Sequence, residues 1–343
     1  MDSVSELWKF HTGLWVSGSP TIIDGTVFVG STDWNLYALD ATSGDCEWSV
    51  ETGWGINSSP TVVNDTVYIG SRDGNLYSIN KYNGRVQWTF EIADWIESSP
   101  TVVDETVYFG GYDKNLYAID SDTESSLWRY PTESGLHSSP TVVNGSIYIG
   151  SRDRKLYSFD AKTGTKDWQF DTQGEIHSSP TVLDGTVFCG SSDNRLYAVN
   201  AESGDLEWRF ETDGRVESSP TATEQLVFVG SRDNCLYAID SRSGEVEWRF
   251  TTDAEIVSSP TVVDDSIIVG SYDQSIYAVD IHTGQMQWQY ETDGAVTSSP
   301  TVVKGVIFVG SNDGCLHAVD TEMTRSSEGT RVLYGTIGHH DGW

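Results

Sequence analysis

Lysine, methionine and cysteine are scarce in this chain. The shortage of basic residues says most about function, because it excludes classes of binding partner. Aspartate and glutamate number 51 against 20 lysines and arginines, which gives a formal net charge of −31. Such a charge repels nucleic-acid phosphates and anionic membranes, so neither is expected as a partner. The acidic residues are spread along the whole chain, which is typical of adaptation to high salt. We predict a halophilic source, an archaeon that keeps salt in its cytosol; the alternative is an acidic partner-binding face.

The four cysteines are isolated, at Cys46, Cys189, Cys235 and Cys315. No two are adjacent and no Cys-x-x-Cys occurs, so the spacing fits neither a disulfide framework nor a zinc motif. No apolar run approaches 18 residues, and the N-terminus lacks a basic stretch followed by an apolar one. We therefore expect a cytoplasmic protein without a signal peptide, although a piece trimmed from a longer or secreted parent would look the same.

A unit of 40 residues recurs eight times without an insertion. Each copy carries a Ser-Pro-Thr triplet, centred on Pro20, Pro60, Pro100, Pro140, Pro180, Pro220, Pro260 and Pro300. Each also carries a tryptophan at the same offset: Trp8, Trp48, Trp88, Trp128, Trp168, Trp208, Trp248 and Trp288. A glycine and an aspartate repeat with the same period. A repeat of this length indicates either a propeller or a solenoid.

Four short strands, A to D in chain order, are predicted in each unit, for example at 216–222, 226–231, 236–241 and 246–251. Asn144-Gly145 and Asp184-Gly185 are strong signals for the hairpin turn between strands A and B. No segment has a helical period. The prediction is an all-β fold, a closed eight-bladed β-propeller with four antiparallel strands in each blade.

The two ends of the chain are complementary. The N-terminus begins with an orphan strand D at 7–10, and the last unit has only strands A to C. We predict that the N-terminal strand completes the last blade and removes the exposed edges. The propeller would then span 1–321, with a tail at 322–343. Residues 329–334 weakly resemble a strand D and could compete for that slot or add beside Trp8.

The turn before each tryptophan resembles the PQQ-type propeller repeat. The family pattern A-x-D-x-x-T-G-x-x-x-W is matched by Ala278, Asp280, Thr283, Gly284 and Trp288. It recurs with serine for threonine at two further units, and Glu124 replaces the glycine in another. In this family the tryptophan and the glycine turn dock neighbouring blades, so the resemblance implies a structural role for both.

The resemblance leaves the function open, because relatives include quinoprotein dehydrogenases, a lipoprotein of outer-membrane barrel assembly and sensor domains fused to serine/threonine kinases. Quinoprotein enzymes carry an adjacent pair of cysteines and long insertions, and this chain has neither. We predict a non-catalytic binding or scaffold propeller, with no cofactor and no PQQ. The alternatives are a PQQ-dependent oxidoreductase, a metal-binding enzyme such as a metal-assisted hydrolase, and a ligand-sensing domain.

Function is expected where the repeat symmetry breaks, on the face that carries the D-to-A and B-to-C loops. At the start of strand A, near the channel rim, four consecutive blades carry imidazole or carboxylate groups: Glu97, His137, His177 and Glu217. Such groups suit zinc or another divalent transition metal. The alternative is a set of solvated, hydrogen-bonded rim residues.

Two further groups interrupt the repeat on the same face. The B-to-C loops hold seven basic residues: Arg72, Lys114, Arg152, Arg154, Lys155, Arg195 and Arg232. They would receive an anionic ligand or an acidic peptide, or else pair with the repeated aspartates or with neighbouring blades. Within the repeats, four further tryptophans lie outside the structural position, at Trp15, Trp34, Trp54 and Trp95. Exposed tryptophan is enriched at binding hot spots, so we predict a protein or peptide partner here and a monomeric propeller; the alternative is packing into the channel mouth or against the tail.

Overall fold

The computed structural model describes residues 4–321, 323 and 326, and these form 32 strands and no helix. Strand β1 is Ser5–His11. The first four blades contain β2 (Thr21–Ile23), β3 (Thr26–Gly30), β4 (Asn35–Asp40), β5 (Cys46–Glu51); β6 (Thr61–Val63), β7 (Thr66–Gly70), β8 (Asn75–Asn80), β9 (Val86–Glu91); β10 (Thr101–Val103), β11 (Thr106–Gly110), β12 (Asn115–Asp120), β13 (Ser126–Pro131); β14 (Thr141–Val143), β15 (Ser146–Gly150), β16 (Lys155–Asp160), β17 (Lys166–Asp171).

The last four blades repeat the same plan. They contain β18 (Thr181–Leu183), β19 (Thr186–Ser191), β20 (Arg195–Asn200), β21 (Leu206–Glu211); β22 (Thr221–Ala222), β23 (Leu226–Gly230), β24 (Cys235–Asp240), β25 (Val246–Thr251); β26 (Thr261–Val263), β27 (Ser266–Gly270), β28 (Ser275–Asp280), β29 (Met286–Glu291); β30 (Thr301–Val303), β31 (Val306–Gly310), β32 (Cys315–Asp320). Every blade is a four-stranded antiparallel sheet, and the eight blades form a β-propeller, as predicted.

The turn between strands A and B has the geometry that its sequence predicts. Both central residues have positive φ, 52° at Asn144 and 81° at Gly145, and the same holds at Asp184 and Gly185. This is the arrangement of a type I′ turn, whose twist matches that of the strands it joins.

Strand A is shorter than predicted, and the prediction that it begins at residue 216 is wrong. In that blade β22 covers only Thr221–Ala222. The segment before β22 forms hydrogen bonds with the two neighbouring blades instead. The Val216 N–H donates to the Ser191 carbonyl and the Ser219 N–H donates to Ser259 Oγ, each at 3.1 Å. Pro220 has no N–H to offer a ladder.

The Ser-Pro-Thr triplets form a closed circle of hydrogen bonds around the axis. The N–H of the serine before each proline donates to the same serine of the next blade, from Ser19 to Ser59 at 2.9 Å onward. The last of these bonds runs from Ser299 back to Ser19 at 3.1 Å. The threonine hydroxyls repeat the pattern, and Thr301 donates to the Pro20 carbonyl at 2.8 Å. The repeat is therefore a ring and not an open spiral.

The N-terminal strand closes the ring in the predicted slot. Strand β1 pairs antiparallel with β32, with Lys9 opposite His317 and His11 opposite Cys315. Trp8 then docks the first blade, because its indole N–H donates to the Ala41 carbonyl at 3.1 Å. The tail at 322–343, including the competing segment 329–334, lies outside the described residues apart from 323 and 326.

The core lies between blades. Leu116 and Ala118 of the third blade pack in one buried cluster with Ile147 and Ile149 of the fourth, and all four are fully buried. Burial of one such leucine or isoleucine side chain contributes about 1.5–3 kcal/mol. Each blade is thus stabilised by its neighbours, which makes closure of the ring a condition for a complete core. In the described part of the chain, no helix is long and apolar enough to cross a membrane.

Candidate functional site

One face of the propeller carries both sets of loops that differ between blades; we call it the mouth face. Each D-to-A loop crosses two blades there. The loop between the first two blades bonds through Thr52 N–H to the Trp34 carbonyl at 2.7 Å, and the next B-to-C loop bonds through Arg72 N–H to the Gly55 carbonyl at 3.0 Å. These main-chain bonds hold the loops in place, so side chains that break the repeat are presented from a rigid frame.

The repeated aspartates support this frame, as their recurrence predicts. Asp33 Oδ1 accepts the Asn35 N–H at 3.0 Å, while its Oδ2 accepts the Tyr37 hydroxyl at 2.8 Å and the Gly13 N–H at 2.6 Å. The carboxylate thereby ties the B-to-C loop to strand C and to the D-to-A loop. The bond of Oδ2 to strand C recurs in the other blades, with His317 in place of tyrosine in the eighth, so the repeated carboxylate has a structural role.

The four extra tryptophans of the repeat units lie on the mouth face and are exposed. Their exposed fractions are 57% for Trp15, 45% for Trp34, 53% for Trp54 and 38% for Trp95. Among the described residues, these four side chains therefore do not pack into the channel mouth, which was one of the predicted alternatives. Trp34 also has a left-handed backbone, with φ of 80°, at a loop position where two other blades carry glycine. A side chain held at such a φ is strained, and it points from a turn that the surrounding bonds fix.

A chain of aromatic rings continues from two of these tryptophans around the mouth; we call it the aromatic arc. Ring centroids are separated by 6.3 Å from Trp54 to Trp95, 5.9 Å from Trp95 to Tyr112, 6.4 Å from Tyr112 to His137, and 5.1 Å from His137 to His177. These spacings are those of interacting aromatic pairs. Trp15 and Trp34, on the first blade, lie outside this arc.

Two arginines cover the arc. The Arg72 guanidinium lies 5.1 Å from the centre of the Trp95 ring, and that of Arg152 lies 5.5 Å from the centre of Tyr112. Both distances are within the range of cation–π attraction. The two arginines stiffen the aromatic rings and add positive charge to a face of a strongly acidic molecule.

Four basic residues of the B-to-C loops, Arg72, Arg152, Lys155 and Arg232, pair with glutamates of D-to-A loops and not with the repeated aspartates. Arg72 Nε donates to Glu97 at 2.5 Å, Arg152 Nε donates to Glu175 at 3.1 Å, and Arg232 bonds to both Glu217 and Glu255. Lys155 pairs with Glu133 and Arg195 with Glu211. Arg154 and Lys114 occupy the left-handed position of their loops, with φ of 73° and 72°. Pairing with loops that join neighbouring blades, one of the two predicted alternatives, therefore accounts for four of the seven, whereas Arg195 lies opposite Glu211 within its own blade.

Glu97 is the most buried charge of the rim. Its side chain is only 4% exposed and its carboxylate is bonded by Arg72 and by the Asn57 amide at 3.2 Å. Burial raises the pKa of Glu97, but His137, the Tyr112 hydroxyl and Arg72 outweigh it and leave that pKa below its ordinary value. Glu97 is thus an anion that orders the groups around it.

The predicted metal ligands are only partly brought together. His137 Nε2 lies 3.7 Å from Glu97 Oε2, and the rings of His137 and His177 are neighbours. His177, however, bonds to Glu175 at 2.9 Å, and Glu217 is held by Arg232 at 2.7 Å. Desolvation inside the molecule and the charge of His177 lower the pKa of His137 despite Glu97. Metal binding at this rim stays a prediction.

Some polar atoms of the mouth have no hydrogen-bond partner among the described protein groups. They are Asn57 Oδ1, His137 Nδ1 and Ser192 Oγ, on the second, fourth and fifth blades. Because buried polar groups are nearly always satisfied, such atoms mark places where a ligand or water completes the bonding.

Tyr112, Glu175 and Glu255 belong to the site but were missed from the sequence. A comparison of the units at the two loop positions that they occupy would have found them, because each position holds five different residue types among the eight blades.

Comparisons with known proteins agree with this architecture. Among solved structures, BamB from Moraxella catarrhalis superposes with a TM-score of 0.81 at 18% identity, covering 93% of this chain and 100% of that one. Sqt1 from Saccharomyces cerevisiae gives 0.84 at 14% identity, over 94% and 100% of the two chains. A quinohemoprotein alcohol dehydrogenase from Comamonas testosteroni gives 0.78 at 12% identity, over 95% and 78%. At these identities the likeness shows the fold alone.

Among curated protein sequences, none matches this chain. The model of one protein family does match, in overlapping segments at residues 2–94, 92–181, 113–223, 165–249 and 213–326. These segments span every blade and include the N-terminal strand that closes the ring. The chain therefore belongs to the family described as outer membrane protein assembly factor BamB.

Proposed function

We propose that this protein is a non-catalytic binding propeller that holds a peptide segment of a protein partner across the aromatic arc of the mouth face. The carrying observation is the run of rings from Trp54 to His177, whose two tryptophans are exposed on a face where most of the remaining structure repeats from blade to blade. Tryptophan and arginine are the residues most enriched at binding hot spots. Rigid aromatic side chains also lose little conformational entropy on binding.

The contacts that Arg72 and Arg152 already make indicate which kind of peptide can bind. Arg72 and Arg152 are already paired with carboxylates and stacked on rings, so they are not free to bind an acidic peptide. The accessible surface is instead the aromatic side chains, with Trp54 half exposed. We infer a peptide with apolar or aromatic side chains, whose backbone bonds to the unpartnered atoms of Asn57, His137 and Ser192.

The family supports a partner of protein kind. Its description names an assembly factor, a role that works through contacts with other proteins. The high net negative charge supports operation in a high-salt cytoplasm. The oxidoreductase alternative lacks such support: the four cysteines lie in different blades, Cys46 exposed and the other three buried. A quinone absorbance band in the purified protein would reverse this preference.

A peptide-display selection at molar potassium chloride tests the proposal. Binding of a selected peptide to the purified propeller is measured by fluorescence anisotropy. We expect Trp54→Ala and Trp95→Ala each to weaken binding by about 30-fold, the loss of a hot-spot side chain. Tyr82→Ala is the matched control, because Tyr82 is an aromatic residue, 66% exposed, in a C-to-D turn on the opposite face. Equal weakening by Tyr82→Ala, or no effect of either tryptophan substitution, would overturn the proposal.

A further inference from the structure

The closure of the ring brings together four metal-ligand side chains that no other blade combines. We call them the closure cluster: His11, Asp313, Cys315 and His317. Among the described residues, Asp313, Cys315 and His317 form the one group of three whose ligand atoms all lie within 4.8 Å of one another. His11 lies opposite Cys315 across the β1–β32 pair, with its Nδ1 3.1 Å from Cys315 Sγ.

These residues depart from the repeat. Where blade eight has His317, the other seven carry tyrosine, as in Tyr277, whose hydroxyl donates to the repeated aspartate. His317 Nε2 occupies the position of that hydroxyl, 2.9 Å from Asp313 Oδ2. Tyrosine serves the structural bond in every other blade, so the imidazole is not needed for it.

The second nitrogen of His317 provides an independent indication of a ligand. The residue is only 2% exposed, and its Nδ1 has no hydrogen-bond partner. Glu6 Oε2 lies 3.6 Å away. A histidine that binds a metal through one nitrogen commonly directs the other N–H to a carboxylate, which fixes the tautomer. With a cation on Nε2, the proton moves to Nδ1 and faces Glu6.

We propose that the closure cluster binds one divalent transition cation of the zinc class, through Cys315, His317, His11 and Asp313, and that this cation clasps the N-terminal strand to the last blade. A thiolate and two imidazole nitrogens favour zinc over calcium or magnesium, which prefer oxygen. One thiolate, one carboxylate and two neutral imidazoles balance a double positive charge, so the loaded site is neutral.

The surroundings permit loading. Cys315 is 3% exposed, whereas His11 is exposed and leaves a path for the ion. Burial and the nearby Asp313 raise the pKa of the Cys315 thiol to about 12, so the metal-free site holds a neutral thiol. A bound cation reverses that preference and releases the thiol proton to solvent.

Cobalt(II) is the probe for the site, because a thiolate–cobalt bond gives a charge-transfer band in the near ultraviolet that imidazole and carboxylate sites lack. Chelator-treated protein carrying Cys46→Ser, which removes the exposed cysteine, is titrated with cobalt chloride. We expect a band that saturates at one equivalent and disappears on addition of zinc. The variants Cys315→Asn and His317→Tyr should abolish it, and both restore residues that other blades carry at these positions.

Cys235→Asn is the matched control. Cys235 occupies the equivalent position of the sixth blade, is buried and follows a repeated aspartate, but Tyr237 stands where blade eight has His317. The band should survive this substitution. A titration without a thiolate band, or a band that persists in Cys315→Asn or in His317→Tyr, would overturn the proposal.

Stability provides a second readout. A ligand that binds only the folded state at one hundred times its Kd raises the folding equilibrium constant about 100-fold. Zinc should therefore raise the unfolding midpoint of the parent protein in urea and leave that of His317→Tyr unchanged. An equal zinc effect in both proteins would place the metal elsewhere and contradict a role in closure.

Discussion

At the scale of single residues, the contact between each tryptophan and the glycine of the next blade is the most demanding feature of the repeat. A Cβ atom on Gly204 would lie 2.7 Å from the Trp168 ring, and Gly204 has a φ of 76°. Both facts require glycine, because a left-handed backbone disfavours a side chain and the ring leaves no room for one. The repeated glycine is thus a consequence of how blades dock.

Glu124 violates this rule and is a site for stabilisation. It holds a φ of 61° at the position where the other described blades carry glycine. A non-glycine residue there costs about 1–2 kcal/mol, and part of the gain from glycine is lost to the entropy of the unfolded chain. We expect Glu124→Gly to raise the free energy of unfolding by about 0.5–1 kcal/mol in urea titrations. The reverse change at the matched position, Gly204→Ala, should lower it by more than 1 kcal/mol; a destabilised Glu124→Gly variant would contradict this account.

The repeat pattern in the sequence predicted the contacts that recur in every blade. It did not predict how side chains found in only one blade pair with each other. The tryptophan, the glycine and the aspartate recur eight times or nearly so, and recurrence identifies a structural role. Arg72 could have paired with Asp73 beside it, but that carboxylate is already bonded to main-chain groups and to Tyr77, so Arg72 pairs with Glu97 of the next loop. The closure cluster was missed because the exchange of tyrosine for His317 occurs once and its partner His11 is 306 positions away in the chain.

At the scale of elements, the N-terminal strand performs the same docking as the outer strands that are continuous with their blades. Trp8 Nε1 donates to Ala41 at 3.1 Å, as Trp128 does to Ala161, and the Trp8 ring packs on Gly44 as Trp128 packs on Gly164. The junction between the last and first blades is therefore equivalent to the others. The fold could be predicted at this scale because the missing strand and the orphan strand had the same pattern.

This equivalence has a measurable consequence. Trp8→Ala and Trp128→Ala each remove a partly buried indole with its hydrogen bond, and we expect both to lower the free energy of unfolding by about 2–4 kcal/mol. Trp54→Ala, which removes an exposed indole, should change it by less than about 0.5 kcal/mol. Urea titrations at fixed molar salt measure all three. If Trp8→Ala proves as mild as Trp54→Ala, the N-terminal strand does not hold the ring closed in solution.

At the scale of the whole molecule, the net charge of −31 must be reconciled with a compact ring. The outer strands carry exposed acidic side chains such as Glu51, Glu91 and Glu291. Their mutual repulsion acts on the folded state more than on the expanded unfolded chain. Salt weakens it, because the screening length shortens from about 10 Å at 0.1 M to about 3 Å at 1 M.

We therefore expect the unfolding midpoint in urea to rise steadily as potassium chloride increases from 0.1 M to 2 M. A general effect of salt on apolar burial would also raise it, so the control must change charge without changing the core. The triple variant Glu51→Gln, Glu91→Gln and Glu291→Gln removes three exposed negative charges. Its midpoint at 0.1 M should exceed that of the parent, and the two should converge at 2 M, where repulsion is screened. Parallel salt dependences in the two proteins would mean that charge repulsion is not what salt relieves, and the prediction of adaptation to high salt would lose its physical basis.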